Sequence, residues 1–456
     1  MAESVCTYPG CGRPPYRYLV CAAHYLTAGQ TPEKAGPDGR RRADEVDVTG
    51  SDLDGLVIRD IVFTGTTRFD GCRFTGGTRF ENVAFEGFTT FRDATSDGRM
   101  AFRDVRFTSL VDLGGSDFAV LSIRRTEFEA AVALGSLHGD VDIHLATFER
   151  RARLVGRPRT LELRQVACRD GAQLRLDGSD VMLYNVEFGG PSSLGPHTTG
   201  GPARPRLLEV ADTGLSRLTA FATDLSRCTF VGAHGLDGFA VEALDAFAWA
   251  PGGPYTRRRV LWDECRWRAE NGTGRAARRW RERAGTDPRE TPLSARQVAR
   301  DYRALRKARE DAKDEPGAAD LYYGEMEMRR LAAYGDMRAA RHGDRWGEWT
   351  TAATEHSLLW LYWAVSGYGL RAWRALVGLL AVVLGGAVLL RYTGYPGGGA
   401  TYGGALRLAV QAAMSLVRGV DEPLTPAGEW TTLALRLLGP LLFGLALLAM
   451  RGRVRR

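Results

Sequence analysis

Four potential metal ligands lie close together near the start of the sequence. Cys6, Cys11, Cys21 and His24 form a C-x4-C-x9-C-x2-H series, interrupted by prolines and glycines that favour turns. Three thiolates and one imidazole suit a tetrahedral zinc ion, and four protein ligands leave no open position for a catalytic water. The spacing therefore predicts a structural zinc site within residues 1–30, the alternative being ordinary cysteines in a flexible tail.

The elements around these ligands are short. The segments CTYPGCGRP and CAAHY resemble the zinc knuckles found at the ends of many bacterial proteins, and the resemblance is confined to residues 6–25. Residues 31–50 are polar and charged and contain Pro and Gly. This composition predicts a linker between the zinc site and the rest of the chain.

The rest of the sequence offers no catalytic motif. It contains no G-x-S-x-G elbow, no phosphate-binding loop and no HExxH. The other histidines lie far apart and lack ligand spacing: His138, His144, His197, His234, His342 and His356. Alternating charges at residues 325–330 are typical of a solvated or salt-bridged helix face. We therefore expect a protein that is not an enzyme.

Length and charge limit the classes of function. A chain of 456 residues exceeds what one hydrophobic core usually organises, so several units in series are expected. Lys and Arg total 61 against 54 Asp and Glu, a mild excess that favours membrane attraction over nucleic-acid binding. The seven cysteines are too sparse for a disulfide scaffold, and the first residues lack the pattern of a signal peptide. We expect reduced thiols and a cytoplasmic location for most of the chain.

A regular spacing of aromatic residues begins after the linker. Six phenylalanines are alternately six and five residues apart: Phe63, Phe69, Phe74, Phe80, Phe85 and Phe91. The pattern continues after a gap, giving two interleaved ladders of period eleven, with Phe102, Phe107, Leu113, Phe118, Ile123 and Phe128. Neither the period of a helix nor the alternation of a half-buried strand fits this spacing. A chain that turns a corner every five or six residues does fit, each coil burying its Phe or Leu under the next.

These residues also carry a family resemblance. TRFDGCRFTGGTRFENVAF resembles the pentapeptide-repeat proteins, and ATDLSRCTFVGAHGLDGF resembles their A-(D/N)-L-x-x form. The resemblance implies a right-handed, quadrilateral β-helix with about four repeats per coil. The match weakens after residue 151, and GGPSSLGPHTTGGPARP interrupts it. We therefore expect a β-solenoid at 51–190, a loop at 191–205 and a second solenoid segment at 206–250.

A solenoid of this family can have several functions. Some members bind gyrase as mimics of DNA, which requires an acidic surface. Arginines recur through this repeat instead: Arg59, Arg68, Arg73, Arg79, Arg92, Arg99, Arg103 and Arg106. A stacked rod also suits spacing, assembly or the presentation of a flat face. We expect a scaffold or sensor arm that binds an unknown protein partner through the solenoid.

Residues 251–345 are helical in character. LSARQVARDYRALRKARED and LYYGEMEMRR, separated by Pro316 and Gly317, predict a helical hairpin. They resemble the connector that precedes the membrane part of many membrane-bound pentapeptide-repeat proteins. An aromatic-rich stretch follows at 356–369, too short to cross a membrane, and we expect an interfacial helix within 346–372.

Two apolar stretches near the C-terminus are long enough to span a bilayer. The first is predicted at 373–392, flanked by Trp373 and Tyr392. The second, at 430–450, contains Arg436 near one end, where its side chain can snorkel to the interface. Arginines before the first span and in the basic tail at 451–456 predict a multi-pass cell-membrane protein with both termini cytoplasmic. The bilayer is thus an expected partner.

The loop between the spans, 393–429, supports an alternative function. Its amphipathic stretch ALRLAVQAAMSLV occupies the position of the pore helix in two-transmembrane ion channels, which the layout resembles. No T-x-G-Y-G filter follows it, and the nearest GYG, at 367–369, precedes the first span. Asp421 and Glu422 could form an acidic ring in a homo-oligomer. The sequence therefore predicts a membrane-anchored scaffold or sensor, or alternatively an oligomeric channel gated by the solenoid.

Overall fold

The computed structural model describes most of the chain. It covers residues 26, 39–198, 203–243, 245–252, 258–285, 293–343, 345–396, 401–414 and 423–454. The predicted zinc ligands Cys6, Cys11, Cys21 and His24 lie outside the described residues, as do Asp421 and Glu422. The chain divides into two compact units, one formed by residues 1–293 with 303–314 and the other by 294–302 with 315–456.

The first unit is a β-solenoid of about nine turns in which the strands of successive turns pair in parallel. The predicted β-solenoid is thereby confirmed. One ladder comprises Arg41–Ala43, Ile61–Phe63, Ala84–Phe85, Arg106–Phe107, Glu127–Phe128 and Thr147–Phe148. A second comprises Val46–Asp47, Thr67–Arg68, Thr89–Thr90, Val111–Asp112, Val132–Leu137, Ala152–Gly156, Ala172–Leu176, Ser192–Gly195, Leu218–Ala220 and Ala240–Val241.

The other two sides of the solenoid share several long strands. Early coils have separate short strands, namely Asp52–Asp54, Val57–Arg59, Arg73–Thr75 and Thr78–Glu81. Later coils have longer ones, namely Thr95–Arg103, Asp117–Arg124, Asp140–His144, Thr160–Cys168, Asp180–Phe188 and Arg206–Ala211. A short 3-10 helix, Leu236–Gly238, and an antiparallel pair, Ala248–Trp249 with Arg259–Val260, follow.

The phenylalanine spacing is explained by the strand register. Phe63 pairs with Phe85 in the next coil, 22 residues on, so the predicted period of eleven is half a coil. The two predicted ladders therefore separate into four columns on different sides of the rod. Ring centroids of successive phenylalanines within a column are 4.6–5.0 Å apart, as in the Phe69–Phe91 and Phe107–Phe128 pairs. Each ring thus fills the space between its neighbours above and below.

One corner of each coil has a left-handed backbone. It is occupied by Asp60, Asn82, Asp104, Arg125, Leu145, Gln165, Asn185 and Asp212, all with positive φ. Asp and Asn tolerate this conformation best, because their short side chains bond locally. Here they also join coils: Asn82 Nδ2 donates to Asp60 Oδ1 over 2.6 Å.

The ladder is longer than the sequence pattern suggested. Arg41–Ala43, within the predicted linker, already pairs with Ile61–Phe63. Ser192–Gly195, within the predicted loop at 191–205, pairs with strands on both sides. The two predicted solenoid segments therefore belong to one continuous ladder of strands.

Eight helices follow the solenoid strands among the described residues. They are α1 (Trp262–Asn271), α2 (Gly274–Ala284), α3 (Ala295–Asp311), α4 (Glu315–His342), α5 (Trp346–Ser366), α6 (Ala372–Leu389), α7 (Tyr402–Met414) and α8 (Pro426–Val454). A π-helical turn, Leu390–Gly394, extends α6. Pro316 lies in the first turn of α4, where its missing N–H costs no intrahelical bond.

Candidate functional site in the C-terminal helices

Two helices of the second unit are long and apolar enough to cross a membrane. They are Trp373–Gly394 and Pro426–Leu447, of 22 residues each. Their large apolar side chains face outward: Leu380 is 57% exposed, Leu437 61% and Leu441 58%. Such a continuous apolar surface is rare on a protein dissolved in water.

The two apolar helices pack against each other in antiparallel order. A Cβ added to Gly428 would lie 2.6 Å from the carbonyl oxygen of Gly394, and one on Gly386 would lie 2.8 Å from Leu435. Further along, Gly378 faces Leu442. Small residues let helix backbones approach closely, which is the usual way that helices associate without help from water.

Helix α7 packs against both apolar helices. It begins where α6 ends, since the hydroxyl groups of Tyr392 and Tyr402 are 2.9 Å apart. Its small residues form a buried cluster with α6 and α8: Ala387, Leu390, Ala405, Leu408, Ala409, Ala412 and Leu435. Its last described turn lies against Gly439, where an added Cβ would overlap the carbonyl oxygen of Ala413. Because Gly439 lies near the middle of Pro426–Leu447, the described part of α7 runs at least to the middle of the apolar pair.

Polar groups collect at this same depth. The apolar part of α8 begins at Pro426 rather than at residue 430, so Arg436 lies near its middle and not near one end as predicted. The Nε of Arg436 is buried and has no hydrogen-bond partner in the described part of the chain. Pro440 has no N–H to donate, so the carbonyl group of Arg436 also lacks its intrahelical partner.

A groove of about 480 Å³ opens beside these polar groups. Its lining comes from α6, α7 and α8, and includes Leu380, Val383, Val410, Met414, Pro440 and Phe443. Arg436, Pro440 and Phe443 are spaced i, i+4 and i+7, which places them along one face of α8. The guanidinium group therefore originates one turn from an apolar groove.

A second polar cluster lies just before α6. Gly367, Tyr368 and Gly369 all have positive φ, so the predicted GYG stretch is a tight elbow between α5 and α6. Tyr368 is buried, and its hydroxyl group donates to Glu327 Oε1 over 3.1 Å. Arg330 donates to the other oxygen of Glu327 over 3.0 Å. Burial, together with the Glu327 carboxylate, raises the pKa of Tyr368.

This cluster refines the expectation for residues 325–330. Glu325 and Glu327 are only 4% and 6% exposed, so they are not on a solvated face. The α4–α5 hairpin buries them, and Arg329 reaches across it to Glu355 over 3.1 Å. The elbow is held in place by the hydrogen bond from Tyr368 to Glu327 and by the rings of Tyr323 and Tyr362, which pack against the Tyr368 ring.

The solenoid surface carries paired charges. Arg59, Arg92 and Arg106 each form an ion pair with an acidic residue of the adjacent coil, at 2.6, 2.7 and 2.8 Å. Such pairs are exposed and individually weak. Because of these pairs, the surface of the rod carries both positive and negative charges, whereas mimicry of DNA requires an acidic surface.

The described residues contain no group of three or more His, Cys, Asp and Glu placed to hold a metal ion. The predicted zinc ligands lie outside that part of the chain. The described cysteines, Cys72, Cys168, Cys228 and Cys265, are buried. Burial raises the pKa of Cys72 to about 11 and that of Cys168 to about 12, so these thiols are poor nucleophiles at neutral pH.

Sequence reasoning missed the depth of Arg436 and the path of α7. Arg436 was visible as a charge within an apolar stretch, but its depth depended on where the helix begins.

Comparison of the chain with protein-family models, with curated proteins and with solved structures gives no match. The β-solenoid and the two apolar helices therefore have to be interpreted from their own residues.

Proposed function

We propose that the chain is a non-catalytic, membrane-anchored protein of the pentapeptide-repeat type, whose solenoid is a scaffold or sensor arm in the cytoplasm. The observation that carries this proposal is the outward apolar surface of the antiparallel pair formed by α6 and α8. Leucines exposed in this number would drive aggregation in water. In lipid the same arrangement is stable, because each helix satisfies its own backbone hydrogen bonds.

The charges at the ends of the pair support the proposed topology. Arg371 immediately precedes α6 and Arg374 lies in its first turn, and the basic tail at 451–456 follows the apolar part of α8. Because the two helices are antiparallel, these arginines lie at the same end of the pair. The positive-inside rule assigns that end to the cytoplasm, together with both termini.

The form of the solenoid supports a binding role. Its coils between residues 132 and 193 repeat every 20 residues, as in the strand pairing of Ala152 with Ala172, which equals four pentapeptides. Stacked coils with mixed, paired charges offer long regular faces, and such faces suit partner proteins. A structural zinc at Cys6, Cys11, Cys21 and His24 belongs to the same proposal and would stabilise the N-terminal end.

Membrane anchoring is tested on the full chain expressed in bacterial cells. We expect the protein to remain in the membrane pellet after alkaline carbonate extraction, and its solenoid to be digested by protease only in inside-out vesicles. Recovery of the chain in the soluble fraction would overturn the proposal. Digestion in right-side-out vesicles would reverse the topology and leave the anchor in place.

The zinc and scaffold proposals need separate measurements. Metal analysis of the purified chain should give one zinc per chain, and Cys6→Ser should lower that content; unchanged content would remove the site. For the scaffold, proteins cross-linked to the chain in cells should be lost when residues 51–250 are deleted but kept in a Leu110→Asp variant. If the same proteins are still cross-linked to the chain after the deletion, the solenoid is not the binding arm.

An oligomeric channel is a second candidate, favoured by the path of α7. This helix starts at one end of the apolar pair and runs beside both apolar helices to its middle, as a pore helix does in two-transmembrane channels. The described residues of one copy form two long apolar helices, which are too few to enclose a pore. Measurement of the oligomeric state in nanodiscs, followed by recording in planar bilayers, tests this candidate. A monomer, or an oligomer that never conducts, would exclude it.

A further inference from the structure

Helix α5 carries an exposed apolar patch near its C-terminal end. Leu358 is 63% exposed, Trp360 50%, Leu361 53% and Tyr362 37%. These four residues, the α5 patch, follow one another closely along the helix. A cluster of large apolar side chains on a protein surface usually marks a contact with a partner or a membrane.

The side of α5 that faces α4 is already occupied. Leu359 and Trp363 pack against the buried cluster that contains Tyr323 of α4. The indole Nε1 of Trp363 also donates to the hydroxyl group of Tyr323 over 3.0 Å. Because successive residues turn by about 100° around a helix, Leu358 and Leu361 lie on the side that faces away from α4. The α5 patch is therefore available to something outside the hairpin.

The α5 patch lies beside the start of the first apolar helix. Arg374, in the first turn of α6, donates to the carbonyl oxygen of Trp363 over 3.0 Å, and its guanidinium group lies 4.8 Å from the Trp363 ring. At about 1.5 Å of rise per residue, Leu361 and Leu358 lie about 3 and 7.5 Å from Trp363 along the axis of α5. Helix α5 also contacts α8, the other apolar helix. The patch thus adjoins the apolar surface of Trp373–Gly394.

The exposed surface of α5 changes from polar to apolar toward α6. Apart from Trp346 at the start of the helix, the exposed side chains of the preceding turns are polar: Thr350, Thr351, Thr354, Glu355 and Ser357. Apolar exposure begins at Leu358, at the end nearest the membrane. A boundary between water and lipid accounts for such a change, and Trp and Tyr, as at Trp360 and Tyr362, are enriched at that boundary. The surface of a protein partner would give no reason for it.

We propose that residues 358–365 of α5 insert side-on into the cytoplasmic surface of the bilayer, whereas residues 346–357 stay in water. This inference rests on the membrane anchoring proposed above and names a lipid surface as the partner of the α5 patch. It confines the interfacial segment expected within 346–372 to the end of α5 nearest the elbow. The α4–α5 hairpin would then be tied to the bilayer by lipid contacts as well as by its covalent link to α6.

The test uses nitroxide spin labels on the full chain in liposomes of phosphatidylcholine and phosphatidylglycerol. Labels are placed in the patch by Leu358→Cys and Leu361→Cys, and on the polar turns of the same helix by Thr351→Cys and Thr354→Cys. Collisions are measured with oxygen, which concentrates in lipid, and with a neutral nickel complex, which stays in water. We expect a clearly higher ratio of oxygen to nickel collisions at 358 and 361 than at 351 and 354. The labelled parent chain gives the background from native cysteines.

Controls on the apolar pair separate the possible failures. Leu380→Cys on α6 and Leu437→Cys on α8 should report lipid. If they do, and the labels at 358 and 361 collide with nickel as often as the label at 351, the patch lies in water and the inference is overturned. Labels at 358 and 361 that are shielded from both reagents would overturn it too, because a second copy of the chain would then cover the patch. If the labels at 380 and 437 report water, the membrane anchoring itself is wrong.

Discussion

The solenoid and the C-terminal helices place similar side chains in opposite environments. Phe69, Phe80 and Phe85 are fully buried inside the coils. On α6 and α8, Leu380 and Leu441 are more than half exposed. The solenoid is therefore stabilised by removing apolar area from water, whereas the apolar helices present theirs to the surroundings. This difference is the one expected if the apolar helices are inserted in a membrane, as proposed, and the solenoid lies in water.

Both regions nevertheless use glycine for close backbone contact. A Cβ on Gly87 would overlap the carbonyl oxygen of Gly65 in the preceding coil. A Cβ on Gly439 would likewise overlap that of Ala413 in α7. Close packing of backbones is thus common to both regions, and the placement of the large apolar side chains distinguishes them.

The largest expected effect is the loss of a stacked ring in the solenoid. Phe85 packs between Phe63 and Phe107, with centroids 4.9 Å away on each side. Phe85→Ala should lower the free energy of unfolding by about 3–5 kcal/mol, because the coils cannot collapse onto the cavity. Denaturant titration that follows exposure of the Cys72 thiol measures this. Leu110→Ala, at a half-exposed position, is the control, and an equal loss there would contradict the stacking account.

The next largest effect is expected when the same substitution is made on an apolar helix and on the solenoid. Leu384 on α6 and Leu110 on the solenoid are 47% and 42% exposed. Leu384→Asp should cost about 2.5–3.5 kcal/mol of membrane insertion, since a carboxylate would lie near the bilayer centre. Leu110→Asp should cost little, because that face is in water. The fraction of protein resistant to carbonate extraction is the measurement, and equal fractions for the two variants would refute the comparison.

A smaller effect is expected where α7 contacts α8. Gly439→Ala should destabilise the helical unit by about 1–3 kcal/mol, because the added methyl group would force α7 away from α8. Gly444, in the same helix, has no atom within 4 Å of an added Cβ. Gly444→Ala should therefore be neutral or stabilising. Thermal unfolding in detergent measures both, and the reverse order would show that α7 does not pack as described.

The smallest effect belongs to the charges on the solenoid. Arg92 pairs with Asp112 over 2.7 Å, but its side chain is 62% exposed. Arg92→Ala should therefore shift the unfolding midpoint only slightly, and the difference should shrink in high salt. Denaturant titration at two salt concentrations measures it, with exposed Arg99→Ala as the reference. A loss as large as that expected for Phe85→Ala would mean that charge rather than ring stacking holds the coils together.

Local patterns in the sequence were sufficient to predict both architectures. The five- and six-residue spacing of Phe63, Phe69 and Phe74 excluded helices and flat sheets, and the predicted β-solenoid is confirmed. That spacing measures the distance from corner to corner along the chain. It does not show which corners stack on one another. The strand register shows that, and the period of eleven is half a coil. The register follows from the hydrogen bonds between strands, as in the pairing of Phe63 with Phe85.

The apolar stretches and the charge of Arg436 were likewise evident from residue types, because hydropathy is a local property. The depth of Arg436 and the path of α7 came from tertiary contacts. Arg436 is central because α8 begins at Pro426, and α7 reaches the same depth because Gly439 admits the backbone of Ala413. Residue types alone do not show which glycines meet which backbones. Those contacts between distant residues place the charge of Arg436, Pro440 and the last described turn of α7 at one level.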